Sequence, residues 1–325
     1  MSQIINWGII GLGNIAHKFA SDLQLADGAV LQGVASRSLD KAKAFALHHK
    51  SVSYYDDYLQ LAKNPDVDII YIATPNNYHF DHTMMCFEHG KSVLCEKPLG
   101  LNSNEVKAMI HKARSKDLFF MEGIWTRFIP AIKKFVSLLD QNAIGDLISI
   151  RSDFGFRKPF DSESRLFNKQ LGAGSLLDIG IYPIYISYLT LGMPVDINAM
   201  ARKANTDVDI TCEMLLGFKN NQIANLSSTF EAHTANEAYV YGTKGKIKLH
   251  APFHHPQKIS VENENADLKI YELPYQGNGY VHEIEAVHKS LNQHQTENEL
   301  VNLNDSSALM TIIDTVKKQI KLSYT

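Results

Sequence analysis

The segment Gly11-Leu12-Gly13-Asn14-Ile15-Ala16 constrains this chain more than any other stretch of it. It follows an apolar run at 7–10 and opens a segment in which Ile15, Phe19 and Leu23 recur at four-residue spacing. A strand, a glycine turn and an amphipathic helix in that order make the first half of a βαβ unit that binds a dinucleotide. Gly11 permits the tight turn, Gly13 lets the backbone approach a pyrophosphate, and Ala16 allows close packing of helix on strand. The helix start then turns its free N–H groups toward the anion, which brings Asn14 and Ile15 into the expected cofactor set.

The rest of the first 120 residues keeps this alternation. Apolar runs at 30–35, 69–73 and 92–95 are each followed by helical periodicity, the pattern of a parallel sheet with crossover helices. Gly90 is placed to end a helix over 80–88, and Asn102-Ser103-Asn104-Glu105 carries capping chemistry for the next. Beyond residue 124 the texture changes to β-type stretches at 147–156, 195–204, 209–218, 222–230, 238–241 and 247–250. The turn sequences Lys219-Asn220-Asn221 and Thr243-Lys244-Gly245 between them predict a largely antiparallel sheet. Two helices are expected beside it, over 175–190 and 306–321, the second capped by Asp305-Ser306. The predicted architecture is an α/β Rossmann domain at 1–124, binding the cofactor. An α+β domain at 125–325, with a large, mostly antiparallel open-faced sheet, serves substrate binding and oligomerisation.

Composition narrows the partner. With 32 basic against 35 acidic residues and a net charge of -3, the chain has no field to steer it onto nucleic acid or an anionic membrane, so a small-molecule substrate is expected. Apolar runs are strand-sized, whereas a spanning helix needs about 20 residues. Met1-Ser2-Gln3-Ile4-Ile5 lacks the basic, apolar and small-residue order of a signal peptide, so a cytoplasmic location is expected. Cys86, Cys95 and Cys212 are odd in number and have no CxxC spacing, and read as buried thiols. His79 and His82 stand three apart without a third ligand, so no metal is expected.

The second strand bears on which dinucleotide is used. An NAD site normally offers Asp or Glu there for the ribose 2′-hydroxyl. This chain reads Val34-Ala35-Ser36-Arg37-Ser38, with Lys41 one helical turn on. A guanidinium fork, hydroxyls and an ammonium suit a 2′-phosphate, so Ser36, Arg37 and Lys41 favour NADP, with NAD left open.

Ala73-Thr74-Pro75-Asn76, Cys95-Glu96-Lys97-Pro98 and Asp178-Ile179-Gly180-Ile181-Tyr182 follow the glycine motif in fixed order. In these motifs and their spacing the chain resembles, over nearly its whole length, the glucose-fructose oxidoreductase and inositol dehydrogenase (Gfo/Idh/MocA) family. Glu122-Gly123-Ile124-Trp125-Thr126-Arg127-Phe128 and Gly242-Thr243-Lys244-Gly245 are similar to its dimeric dihydrodiol dehydrogenase branch and the sugar dehydrogenases beside it. The resemblance implies cofactor contacts at Thr74, Pro75, Asn76, His79, Glu96 and Lys97, with Glu96-Lys97-Pro98 beside the nicotinamide. It also implies catalytic groups at Lys97, Asp178 and Tyr182, and a homodimer or homotetramer formed through the C-terminal sheet. Many members carry His where this chain has Tyr182; the dihydrodiol dehydrogenase branch carries Tyr.

Alcohol oxidation needs a group to take the hydroxyl proton as hydride leaves carbon, and Tyr182 is the candidate. A phenol of pKa ~10 becomes a useful base near neutrality after roughly 3–4 kcal/mol of differential stabilisation, which an ammonium within ~4–6 Å supplies. Lys97, restrained by Pro98, is expected in that role. Asp178 stands four residues before Tyr182, on one face if the segment is an α-helix. A carboxylate there would raise the phenol pKa, so Asp178 is expected to orient Lys97 or hold a substrate hydroxyl. Trp125 and Phe154 are the expected apolar substrate contacts, with Tyr182. The residues thus point to an NADP(H)-dependent oxidoreductase acting on a small polyol, sugar, trans-dihydrodiol or dicarbonyl. The alternative is a regulatory or redox-sensing protein that keeps the Rossmann domain without turnover, a role that would not require Lys97, Asp178 and Tyr182 together.

Overall fold

A strand buried on both faces can lie only inside a covered sheet, and all four residues of Ile69–Ile72 are buried. The computed structural model describes residues 4–324. In it the chain forms two compact units, one of residues up to Phe128 with Gln276–Ser307, the other of Ile129–Tyr275 with the chain from Ala308 on.

The first unit winds through β1 (Ile5–Ile10), α1 (Asn14–Leu23), β2 (Ala29–Ala35), α2 (Leu39–His49), β3 (Ser53–Tyr55), α3 (Tyr58–Ala62), β4 (Ile69–Ile72), α4 (His79–Glu88), β5 (Ser92–Glu96), α5 (Ser103–Ser115) and β6 (Phe120–Gly123). All six strands pair in parallel in the order β3-β2-β1-β4-β5-β6. The strand order reverses between β1 and β4, and in such sheets ligands gather outside the carboxyl ends at that point. Asn102 caps α5 through its side chain, and Gly90, at φ 72°, follows α4 as the sequence predicts.

The second unit holds α6 (Pro130–Asp140), β7 (Leu147–Gly155), α7 (Ile181–Leu191), β8 (Asp196–Lys203), β9 (Asp209–Gly217), β10 (Ile223–Thr229), β11 (Ala238–Gly242), β12 (Gly245–Leu249), β13 (Lys258–Asn263) and β14 (Leu268–Glu272). These strands form one sheet in the order β14-β13-β12-β11-β7-β10-β9-β8, antiparallel except where β7 and β10 run together. Met200, Leu215 and Ile223 are exposed on β8, β9 and β10 among Glu213, Asn225 and Arg202. Helices α8 (Val281–Asn292) and α9 (Leu303–Gln319) complete the α-helices among the described residues.

Two expectations are corrected. The helix expected over 175–190 begins as a π turn, Leu176–Gly180, and becomes α-helical only at α7. Pro183 explains this, because its ring has no N–H and crowds the carbonyl four residues back, so the turn upstream widens. Helix α9 begins three residues before the predicted Ser306, and its cap is Asn302, whose Oδ1 accepts from the Asp305 N–H at 3.0 Å. The cysteines are free and buried, as expected. Among the described residues no helix is long and apolar enough to cross a membrane.

Helix α8 belongs to the first unit and is tied to it by polar groups. Trp7 on β1 is fully buried, and its indole N–H donates to His288 Nε2 at 3.0 Å. Asp22 at the end of α1 is fully buried too, and accepts from the backbone N–H groups of Asn278 and Tyr280 at 2.8 Å. Gly277, at φ +61°, makes that approach possible, since a Cβ there would lie 2.4 Å from Asp22 Oδ1. Asp22→Ala should therefore strand two N–H donors and lower stability by about 2–4 kcal/mol. Thermal and urea unfolding check this; an unchanged midpoint would show that water replaces the carboxylate.

Candidate active site

Most of the sequence-predicted cofactor residues of the first unit lie at or just beyond a strand's carboxyl end, with Lys41 inside α2 and His79 at the start of α4. Gly11 and Gly13 follow β1, Ser36 and Arg37 follow β2, Thr74, Pro75 and Asn76 follow β4, Glu96 ends β5 and Lys97 follows it. Gly11 has φ +87°, and a Cβ there would lie 2.7 Å from the Ala73 carbonyl, so only glycine fits. Over Gly13 an added Cβ would meet nothing within 4 Å, leaving its backbone open to a ligand. Asn14 and Ile15 open α1, whose first N–H groups have no side-chain cap. A polyanion laid across this loop would meet those donors and the positive end of the helix.

At the end of β2, Ser36 is buried and Ser38 caps α2, accepting from the Lys41 N–H at 3.4 Å. Burial raises the pKa of the Tyr58 phenol, and the Arg37 guanidinium opposes the rise. Tyr58 and Tyr78 flank His82 at 4.8 and 5.6 Å between ring centroids, and Thr74 Oγ1 lies 3.0 Å from His82 Nδ1. Arg37 thus stands in an aromatic setting that sequence spacing did not disclose.

His79 is buried in the first turn of α4, with Nδ1 2.8 Å from the Pro98 carbonyl and Nε2 2.8 Å from the Thr74 carbonyl. Burial pushes its pKa down while the two carbonyls oppose that. The ring fills the space between the β4 end and the Lys97–Pro98 link, which is cis, and its one N–H in the neutral form donates to one of the two carbonyls. Below the same link, Glu122 Oε1 on β6 accepts from the Leu99 N–H at 2.9 Å. The Tyr71 hydroxyl donates to Glu96 Oε1, and Glu283 on α8 is fully buried with neither carboxyl oxygen hydrogen-bonded. Burial, and then the Glu96 charge, raise the Glu283 pKa well above the usual carboxylate range. Trp125 is buried and stacked on Tyr280 at 4.5 Å between centroids and 9° between planes.

In the second unit, Asp209 on β9 fixes the start of the turn that carries Asp178. Its Oδ2 accepts from the Ser175 hydroxyl at 2.7 Å and from the Leu176 N–H at 2.6 Å, and burial pushes its pKa up to about 6. Gly174, at φ +122°, leaves room for it, as a Cβ would lie 2.3 Å from Oδ1. Asp178 lies within the π turn, so the four-residue spacing to Tyr182 crosses from π to α geometry; Arg165 Nη1 donates to Asp178 Oδ1 at 2.8 Å. Tyr182 is buried on α7 beside Phe154 on β7, 5.8 Å between centroids, and His254, 4.7 Å. Phe154 and His254 stack at 4.5 Å. The structure thus brings Phe154 and Tyr182 together and sets His254, which follows no motif, against both rings.

Burial pushes the Glu122 carboxyl up to about 7. An unfolded Glu ionises near pH ~4.3, so between these values the unfolded chain releases a proton that the folded one keeps. The contribution of Glu122 to stability is then largest at low pH and is lost as pH rises toward about 7, by roughly 3 kcal/mol in all. Glu122→Gln should remove this slope, so that Tm between about pH 5 and 7.5 falls less than in the wild type. Parallel curves would mean that Glu122 is ionised throughout.

Comparison with known proteins fits this geometry. Residues 5–124 match a family described as an oxidoreductase family with an NAD-binding Rossmann fold, and residues 132–248 match the GFO/IDH/MocA C-terminal domain. The chain is 35% identical over 331 residues to trans-1,2-dihydrobenzene-1,2-diol dehydrogenase of Xenopus laevis and 34% over 329 residues to that of Homo sapiens, covering 98% of both chains in each case. Among solved structures, a 3-ketoreductase from Actinomadura kijaniata in complex with NADP and TDP-benzene superposes with a TM-score of 0.89 at 24% identity over 98% of both chains. Aldose-aldose oxidoreductase from Caulobacter crescentus gives the same TM-score, 0.89, identity, 24%, and coverage, 98% of each chain. The chain belongs to the GFO/IDH/MocA oxidoreductase family and is a nicotinamide-dependent dehydrogenase or reductase acting on CH–OH groups.

Proposed function

We propose that this enzyme uses NADP(H) and interconverts one hydroxyl of a small cyclic diol or sugar with the corresponding carbonyl, with Tyr182 exchanging the proton. The aromatic box of Phe154, Tyr182 and His254 carries the proposal, because it sets one acidic hydroxyl among ring faces that pack on the carbons of a small ring. The relatives at about 35% identity are named for a trans-dihydrodiol of benzene, a substrate of that size and shape.

The open backbone at Gly13 and the uncapped start of α1 fit a pyrophosphate, held by Gly11, Gly13, Asn14 and Ile15. Ser36, Arg37 and Lys41 would hold a 2′-phosphate, and no carboxylate stands among residues 35–38 to repel it. A neighbouring fold is described in complex with NADP and another, levoglucosan dehydrogenase, with NADH, so Arg37 rather than the fold supports NADP here. Thr74, Pro75, Asn76, Glu96 and Lys97 would hold the nicotinamide end, with the His79 ring set between the Thr74 and Pro98 carbonyls behind them. When bound, the nicotinamide accepts or donates the hydride.

Tyr182 Oη takes the substrate hydroxyl proton in the oxidative direction and returns it to the alkoxide in reduction. The Lys97 ammonium favours the anionic form of the oxygen that is losing its proton. Asp178, held by Arg165, accepts a hydrogen bond from a substrate hydroxyl. Trp125, kept flat against Tyr280, offers an apolar face to the substrate ring. Assembly as a homodimer or homotetramer would cover Met200, Leu215 and Ile223 on the sheet of the second unit.

The test is turnover of trans-dihydrodiols, aldoses and dicarbonyls with NADP(H) by wild type and Tyr182→Phe. The variant should lose at least ~10²-fold in kcat with dinucleotide binding unchanged. Turnover within a few-fold of wild type would assign the proton to another group.

A further inference from the structure

Helix α1 and the last turn of α2 bring together three imidazoles that the reaction does not use. His17 Nδ1 lies 2.8 Å from His49 Nε2, and one ring nitrogen each of His17, His48 and His49 lie within 4.8 Å of one another. The rings are close as well, with centroids of His17 and His49 5.0 Å apart and of His48 and His49 4.5 Å apart. Phe45 packs at 4.5 Å against both His17 and His49, fixing their planes from one side.

We propose that His17, His48 and His49 form a binding site for a borderline divalent transition-metal ion, Zn²⁺ or its Cu²⁺ and Ni²⁺ neighbours, which clasps α1 to the end of α2. Bonds of ~2.0–2.1 Å in tetrahedral geometry place ligand nitrogens about 3.3 Å apart, within a small side-chain adjustment of the spacing seen. Three imidazoles without a carboxylate select such metals over Mg²⁺ and Ca²⁺, which take oxygen ligands. His48 is exposed, so the fourth position opens to water. Two of the ligands stand in the last turn of α2, where the helix dipole favours a cation; the Lys41 ammonium acts against it on His17.

Metal ligation needs neutral rings, and burial favours that form of His17 and His49. It lowers the His17 pKa and takes that of His49 to about 4, with the neighbouring imidazoles contributing to both. The clasp joins the helix after the glycine loop to the helix after Arg37, so a bound ion stabilises the unit that receives the dinucleotide without standing among the strand ends.

The experiment uses the full chain without an affinity tag, stripped with EDTA and titrated calorimetrically with Zn²⁺, with Co²⁺ absorption reporting the ligand field. The wild type should bind one ion per chain at low micromolar Zn²⁺ or below and gain in Tm on binding. His48→Gln changes an exposed side chain and should leave the metal-free Tm unchanged while weakening Zn²⁺ binding about tenfold or more; His17→Gln should do the same to affinity. Zn²⁺ affinity equal to wild type in both variants, or no binding by the wild type at 100-fold higher concentration, would overturn the site.

Discussion

The pairing of β1 with β4 is the constraint on which the rest depends. The Ala73 N–H donates to the Ile10 carbonyl at 2.8 Å, and just beyond it Gly11 turns so close to the Ala73 carbonyl that no side chain can intervene. Strand order reverses here, so the crossover helices on either side leave on opposite faces of the sheet and a crevice opens between them. The glycine loop, the Thr74-Pro75-Asn76 turn and the Glu96-Lys97 strand end all reach their places through ladders that start from these two strands.

Buried carboxyls do the fixing that apolar packing cannot. Asp22 holds the chain leading into α8, Asp209 holds the turn that carries Asp178, and Glu122 holds the backbone after Pro98. Each satisfies backbone donors that would otherwise be orphaned, at the desolvation cost that pushes Asp209 and Glu122 up toward neutrality. A hydrocarbon side chain could fill these volumes but could not hold a loop to one register.

Much of this was legible in the sequence because it lies in local patterns. The glycine motif, the apolar runs of the parallel strands and the turn residues of the second sheet each declare their element within a few residues. Strand β3 is three residues long, and β14 is an edge strand with four of its five residues exposed, so neither shows a periodicity to read. The buried positions Ala131, Ile132, Phe135 and Leu138 do mark α6, and Val281, Ile284 and Val287 mark α8, but both follow loops without a side-chain cap. The partners of the site were hidden for a different reason. In the first unit Glu122 meets the Leu99 N–H and Glu283 meets the Glu96 charge, and in the second His254 packs on Tyr182, all across long stretches of sequence; the π turn arises from Pro183 acting on a carbonyl four residues earlier.

The central claim is that the carboxyl ends of the first unit's strands form a dinucleotide site whose selector is Arg37. Fluorescence titration of the wild type and Arg37→Ala with NADPH and NADH tests it most directly. A charge-assisted contact of about 1.5–3 kcal/mol predicts that the wild type binds NADPH some ~10–100-fold more tightly than NADH, and that the variant loses this preference while keeping its affinity for NADH. Equal affinity of the wild type for the two cofactors, or a preference that survives in Arg37→Ala, would contradict the account.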